Sequence, residues 1–305
     1  MDMHHIRRGT GKPLLLIHGI GSSWRSWQLI IEDLVAAGRE VIAVDLPGHG
    51  ETPPLSGEVS IRTMANAVTD FLQTHDLLGV DVVGSSMGAR LVLELARRGR
   101  VVGAVVSLDP GGFWRGWEIP FFYYSIAASV RLVRLLQPVM PALTANPIGR
   151  TVLLPQFSAH PWRLSPELVL DEMESFAASP SFDELLYNLA YKNPQQEGAP
   201  KGSIREPLVI GWGRHDRVCL PLQASRALEA FPDARLYWFS DSSHFPQWDV
   251  PKETVRLILA ATGGKELEGL VSATETSSVT SGNWKAVLGI GLALAAGGVW
   301  LLNRK

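Results

Sequence analysis

The stretch DVVGSSMGARLVLEL (residues 81–95) changes character in its middle. A β-branched apolar pair, Val82-Val83, meets Gly84-Ser85-Ser86-Met87-Gly88, and a helical pattern starts at once, expected over Met87 to Arg98. Glycines on either side of Ser86 permit a very tight strand-to-helix turn, because Gly takes backbone angles that residues with a Cβ avoid. A serine at the apex of such a turn is pushed out of the sheet, with a helix N-terminus beginning behind it. Its Oγ is then exposed, and backbone N–H groups lie close enough to hold an oxyanion. By itself G-x-S-x-G is only moderately specific, since a Ser/Gly-rich strand-helix turn also produces it. The strand before it and the helix after it give it weight.

Outward from this elbow the chain alternates strands and helices. Leu14 to Ile17 is a short continuous apolar run ending at His18-Gly19, and reads as a buried strand. Ser22 to Ala37 carries apolar residues at helical spacing, with Ser22 or Ser23 as N-cap. Strands are expected at Val41–Val44, Val80–Val83, Val101–Leu108, Leu208–Trp212 and Arg235–Phe239. Helices are expected at Ile61–Leu72, Pro221–Phe231 and Pro251–Ala261. Such alternation implies parallel pairing and an α/β doubly wound sheet. Residues 110–206 break it with helical patterns and prolines but no clear strand. This is the pattern of a helical cap inserted between the two parts of the core, 1–109 and 207–262. After Gly263 the chain becomes poor in large apolar residues, which reads as a flexible linker over 263–283.

At 305 residues the chain can bury one substantial core with an inserted subdomain. Charged residues make up 19% and the formal net charge is −2, so no basic patch points to nucleic acid. The single cysteine, Cys219, excludes an intrachain disulfide framework and fits a reducing compartment. No motif calls for a metal or a cofactor, and none is expected.

A serine nucleophile needs a base, and the base needs an orienting acid. His244 lies in SDSSHFPQWDVP, after the strand ending at Phe239, where a loop can reach over the sheet edge toward the elbow. Asp216, in GRHDRV, lies just beyond the strand Leu208–Trp212 at the same edge. Asp109 follows the preceding strand and competes for the role of acid, although Asp before Pro110-Gly111 is also an ordinary turn residue. Asp241 and Asp249 stand too near His244 in sequence to present a carboxylate easily to its ring. His18-Gly19-Ile20-Gly21 follows the first strand, where the N–H of Ile20 can join that of Met87 as a two-donor oxyanion hole. Asp45 and His49, in DLPGHG, read as turn residues.

The blocks LLLIHGIGSS, VIAVDLPGHG, VVGSSMGAR, GRHDRV and SSHFPQWDVP resemble the successive signatures of α/β-hydrolase-fold enzymes over about residues 6 to 262. The resemblance implies an eight-stranded, mostly parallel sheet with a helical cap after the sixth strand. It places the nucleophile on Ser86, the acid on Asp216, the base on His244 and the oxyanion donors on the backbones of Ile20 and Met87. Ser85 stands where many relatives carry histidine. Relatives that open epoxides or displace halide use a carboxylate where Ser86 stands, so a serine favours acyl transfer.

The expected function is hydrolysis of a small or medium lipophilic ester. A cofactor-free haloperoxidase or perhydrolase, a C–C bond hydrolase and a non-hydrolysing binding protein on the same scaffold are the alternatives. The aromatic-rich stretch GGFWRGWEIPFFYYSIAASVRLVRLL fits an acyl pocket or contact with a bilayer as well as ordinary cap-to-core packing. Finally, 18 residues between Lys285 and Arg304 carry no charge. As a helix they span about 27 Å, near the hydrocarbon thickness of a bilayer, with Trp284 and Trp300 as interfacial anchors. A transmembrane helix is therefore expected over 284–303, with the catalytic domain on the cytoplasmic side because no N-terminal export signal is visible. Gly289, Ala293 and Gly297 form a small-residue stripe suited to pairing two such helices in a homodimer.

Overall fold

The structure, a computed structural model, describes residues 2–265 and 268–272. The expected membrane span at 284–303 lies outside the described residues. Eight strands form one sheet in the order β1-β3-β2-β4-β5-β6-β7-β8. They are β1 His5–Arg8, β2 Lys12–Ile17, β3 Arg39–Val44, β4 Asp81–Ser85, β5 Val105–Leu108, β6 Leu208–Gly213, β7 Arg235–Phe239 and β8 Leu270–Ser272. The six central strands are parallel, and β1 and β8 pair antiparallel at the two edges. Leu270–Ser272 thus forms an edge strand within the stretch that sequence assigns to the linker.

The continuous apolar runs of the central strands follow from burial on both faces. Leu15 and Ile17 face one core with residues of α2 (Ile61–Thr74), α3 (Met87–Arg98) and α9 (Ala224–Ala230). Leu14 and Leu16 face a second core with α1 (Gln28–Ala36) and α11 (Pro251–Thr262). The helix expected from Ser22 begins as a 3-10 turn, Trp24–Trp27, whose N-cap Ser23 accepts from the Arg25 N–H. At the edge of the sheet away from the elbow, buried Arg39 donates to Asp81 at 2.7 Å and to Thr262 at 2.7 Å, tying α11 to β3 and β4.

Between β5 and β6, after the fifth strand of this chain rather than the sixth that the family resemblance implies, the chain leaves the sheet and returns. The two strands pair directly, Val105 opposite Leu208, although about 100 residues separate them. The excursion contains α4 Glu118–Leu136, α5 Met140–Ala145, α6 Pro147–Leu153, α7 Pro166–Ala178, α8 Phe182–Tyr187 and a π-helical turn at Asn188–Lys192. Its apolar residues join the core cluster on the α3 side, and Glu118 anchors it through paired bonds from Arg226 at 2.6 and 3.0 Å.

The seat of α3 is sterically exact. A Cβ on Gly88 would lie 2.2 Å from the Ile17 carbonyl oxygen and 2.5 Å from that of His18, while one on Gly84 would lie 2.1 Å from the Gly88 oxygen. All of these contacts are with backbone, which cannot swing aside. Gly88→Ala is expected to cost on the order of 3 kcal/mol in denaturant unfolding. Gly57→Ala, where a Cβ meets nothing within 4 Å, should leave the midpoint essentially unchanged.

Candidate active site

Ser86 follows β4 directly and caps α3 with φ 57° and ψ −114°. A non-glycine residue pays about 1–3 kcal/mol for such a conformation, and it persists only where the surroundings enforce it. The positive φ turns the side chain out of both elements, leaving the residue 9% exposed at the carboxyl edge of the sheet. Gly19 lies against it, with a Cβ there falling 3.1 Å from the Ser86 Cβ.

His244 comes from the loop between β7 and α10 (Pro246–Asp249), and Asp216 from the loop after β6. The two loops are fastened together by the His215 N–H to the Ser242 carbonyl at 2.9 Å and the Ser243 hydroxyl to the His215 carbonyl at 3.0 Å. The His244 Nδ1 lies 2.9 Å from Asp216 Oδ2, and its Nε2 lies 2.9 Å from Ser86 Oγ. With a proton on Nδ1 donated to the carboxylate, Nε2 is left to accept from the serine hydroxyl. Both His244 and Asp216 are buried, so this chain is shielded from competing water.

The competing acid, Asp109, is also buried, but it does not reach His244. Its Oδ1 accepts from the Gly213 N–H at 2.7 Å, and its Oδ2 has no partner. Burial first, and then the charge of Asp216, push its carboxyl well above the usual range. Asp216 differs in its donors. Its Oδ1 accepts from the N–H groups of Val218 and Cys219 at 2.8 and 3.0 Å, and its Oδ2 faces the imidazole.

The backbones of Ile20 and Met87 flank Ser86, and both residues line a small cavity over it. Met87 is the first residue of α3, where an N–H has no intrahelical acceptor. His18 fixes the loop that carries Ile20. Its Nδ1 donates to the Gly19 carbonyl at 2.7 Å and its Nε2 accepts from the Leu46 N–H at 3.0 Å. Burial lowers the pKa of His18, and pushes that of His49 down to about 3, so both rings are neutral scaffold. Asp45 is structural as well, accepting from the N–H groups of Trp24 at 2.7 Å and Glu51 at 3.1 Å.

Several residues at the site carry no signal in the sequence. Gln247 donates to the Ser85 hydroxyl at 3.1 Å, giving that variable elbow residue a buried partner. Phe157, from the cap, stacks on Phe245 with ring centroids 5.7 Å apart and also approaches His244. Asp249 binds the Ser243 N–H at 2.8 Å and the Ala159 N–H at 2.9 Å, joining the histidine loop to the cap. The cavity over Ser86 is small, about 10 Å³, and is walled by Trp114, Phe122, Leu189 and Cys219 as well as Ile20. A larger groove of about 500 Å³ runs by Ile204, Asp233 and Lys265, away from the serine, and holds no nucleophile.

Asp216, Cys219 and His244 bring three ligand-type atoms within 4.8 Å of one another. Two of these atoms already bind each other, and burial together with Asp216 and Asp109 pushes the Cys219 thiol well above its usual pKa. A neutral thiol and an occupied imidazole make a poor metal centre.

Behind the Ile20 loop, Glu172 of α7 is buried with Oε1 unpaired. Burial pushes its carboxyl from 4.5 up to about 8, and the hydroxyl of Ser22 opposes this only in part. Between these values the folded protein holds a proton that the unfolded chain has released, so stability falls as pH rises through the window. Glu172→Gln removes that contribution. The thermal midpoint of the variant, relative to the natural chain, should therefore rise steadily from pH 5 to pH 8.

The sequence pattern described as the alpha/beta hydrolase family matches residues 14–257. The chain is 28% identical over 265 residues to an uncharacterized protein of Mycobacterium tuberculosis, covering 82% of this chain and 75% of that one. It is 27% identical over 270 residues to a 2-hydroxy-6-oxononadienedioate/2-hydroxy-6-oxononatrienedioate hydrolase of Pseudomonas putida, covering 85% and 91%. Among solved structures, a thermophilic esterase from Thermogutta terrifontis superposes with a TM-score of 0.64 at 18% identity, over 84% of this chain and 91% of that one. With its signature elbow, its parallel sheet and a family pattern spanning most of its length, this chain belongs to the alpha/beta hydrolase family.

Proposed function

We propose that the protein is a serine hydrolase that cleaves a carboxylic ester by acyl transfer to water. The observation that carries this reading is the unbroken chain from Ser86 Oγ through His244 to Asp216, with both links at 2.9 Å. Ser86 Oγ attacks the substrate carbonyl while His244 Nε2 takes its proton, and Asp216 holds the ring and stabilises the imidazolium that forms. The tetrahedral oxyanion accepts from the N–H groups of Ile20 and Met87. Collapse expels the alcohol, which receives the proton from His244. A water molecule activated by the same histidine then releases the acid from Ser86. The aromatic and aliphatic walls of the cavity, Trp114, Phe122 and Leu189, support an apolar substrate. The second reading is C–C bond cleavage next to a carbonyl, favoured by the likeness to the Pseudomonas putida dienedioate hydrolase.

A panel of chromogenic esters of increasing acyl length tests the assignment. Ser86→Ala should abolish turnover and leave the fold intact. Asp216→Asn should lower kcat by on the order of 10³–10⁴ through the wrong imidazole tautomer, and Asp109→Asn far less. A Ser86→Ala enzyme that keeps most of its kcat removes the nucleophile from the mechanism, and the reverse ranking of the two aspartates moves the acid to Asp109.

We infer further that the enzyme works at a membrane surface, tethered by the uncharged stretch at 286–303 with its catalytic domain on the cytoplasmic face. The outer face of the cap supports this. Ten of the thirteen exposed large hydrophobic residues among the described ones lie in the cap, including Trp117, Leu135, Ile148 and Val152. Residues 119–166 contain no Asp or Glu and carry Arg131 and Arg163 besides Arg134, which pairs with Asp183, and the buried Arg150, a composition suited to an anionic lipid surface. The full chain should pellet with membranes and resist a carbonate wash, while a chain ending after Ser272 should be soluble and active. Full-length protein that stays in the supernatant defeats the tether, and digestion of the domain by protease added to intact cells reverses its orientation.

A further inference from the structure

Arg90 has no role in the proton relay, yet it lines the same cavity as Ser86. It stands four residues after the nucleophile, one turn along α3, so the two Cα atoms are about 6 Å apart along the helix axis. Its side chain is buried, with the residue only 2% exposed. Three contacts hold it where the cap leaves and rejoins the core. Nε donates to Gln196 Oε1 at 3.1 Å, and Nη2 donates to the carbonyls of Asn193 and Gln195 at 2.7 and 2.6 Å. At the same crossing the Gln196 N–H donates to the Gly112 carbonyl at 2.7 Å. Gly112 is the residue that makes room, since a Cβ there would fall 2.9 Å from Arg90 Nε.

This riveting uses neutral acceptors and leaves two things over. Nη1 is buried with no hydrogen-bond partner. The charge also has no carboxylate, because Arg90 forms no salt bridge among the described residues and the nearest acid along the helix, Glu94, is engaged by Arg97 and Arg98. A buried guanidinium that satisfies two of its three nitrogens and leaves the third without a partner is expensive unless something else completes it. Burial lowers its pKa to about 10, so it stays cationic at neutral pH. The rest of the lining is apolar or backbone apart from Ser86, a neutral thiol at Cys219 and the indole N–H of Trp114, which is likewise buried without a partner.

We propose that Nη1 of Arg90 is an anion subsite, and that the hydrolase acts on acyl compounds whose acyl part ends in a carboxylate, such as half-esters of aliphatic dicarboxylic acids. The inference rests on the serine-hydrolase reading for the reaction, but not for the binding. The short separation along α3 places the carboxylate a few carbons from the scissile carbonyl. The carbon chain between the two ends would lie among Trp114, Phe122 and Leu189, which must part to admit it because the cavity itself is only about 10 Å³. Arg90 then both secures the cap and rewards a substrate that completes its charge.

Two measurements on the full-length protein test this. In the first, p-nitrophenyl half-esters of succinate, glutarate and adipate are each compared with the partner in which the free acid is a methyl ester. The natural enzyme should prefer the acid at one or more chain lengths by about tenfold or more in kcat/KM, mainly through KM. In Arg90→Gln that ratio should fall to about one, and Arg90→Lys should restore part of it. Because each ratio is internal to one variant, a general loss of activity from a loosened cap does not alter it. A preference for the neutral ester at every length, or an acid preference that survives in Arg90→Gln, overturns the proposal. In the second, binding of glutarate and adipate is followed by calorimetry, which needs no turnover. The natural chain should bind at least one of them and Arg90→Gln should bind neither. If neither diacid binds the natural chain, the subsite is refuted. If a diacid binds but no ester is cleaved and a fluorophosphonate fails to label Ser86, the subsite stands and the hydrolase reading falls.

Discussion

The first turn of α3 lies in backbone contact with the end of β2, and the rest of the site depends on that approach. The carbonyls of Ile17 and His18 occupy the space a side chain at position 88 would need, and the Gly88 carbonyl occupies the space a side chain at position 84 would need. With both positions reduced to hydrogen, the helix can start immediately after the strand. The turn that results is too short for ordinary backbone angles, and the strain falls on Ser86. The same closeness brings the loop after β2 against Ser86, where a Cβ on Gly19 would fall 3.1 Å from the Ser86 Cβ, so that Ile20, Ser86 and Met87 line one small cavity.

Electrostatics at the site are settled by counting donors. Asp109 and Asp216 are both buried at the carboxyl ends of neighbouring strands, and two negative charges so placed oppose each other. Asp216 has two backbone N–H groups on one oxygen and the imidazole on the other, whereas Asp109 has one backbone N–H and a bare oxygen. The carboxylate that faces His244 is thus the one with the fuller set of donors, while burial and the charge of Asp216 push the Asp109 carboxyl well above the usual range.

The parts of this arrangement that are local in the chain were legible in sequence. Leu14–Ile17 and Val82-Val83 read as buried strands because both faces of a central parallel strand demand apolar residues, and Ser86, Asp216 and His244 were visible from their places after successive strands. The edge strands β1 and β8 were not. His5–Arg8 carries a single aliphatic residue, and Leu270–Ser272 is three residues long, too little for a pattern. The reason for the glycines was also misread. Sequence assigns them to unusual backbone angles, but the left-handed angle belongs to Ser86 itself, and Gly84 and Gly88 supply space. Gln247, Phe157 and Arg90 were invisible because their roles arise only when the cap folds back on the core. Nothing in the local sequence of a helix reveals which carbonyls, some hundred residues on, its arginine will meet.

The direct pairing of β5 with β6 bears on how the molecule assembles. Val105 meets Leu208 only after the whole cap has been looped out. Loop-closure entropy grows slowly with length, about 0.6 kcal/mol per doubling, so so long an excursion is thermodynamically tolerable. Its kinetic effect is larger, because non-local contacts are rewarded only after that entropy has been lost. Strands β1 to β5 and their helices can associate within the first 109 residues, while β6, β7 and β8 must wait for the cap to compact and bring its ends together. Ser86 thus belongs to the half of the sheet that can form first, and His244 and Asp216 to the half that arrives last. The hydrogen-bonded chain of Ser86, His244 and Asp216 is on this account completed only when the two halves dock, and partly assembled chains carry a serine whose hydroxyl has no imidazole beside it.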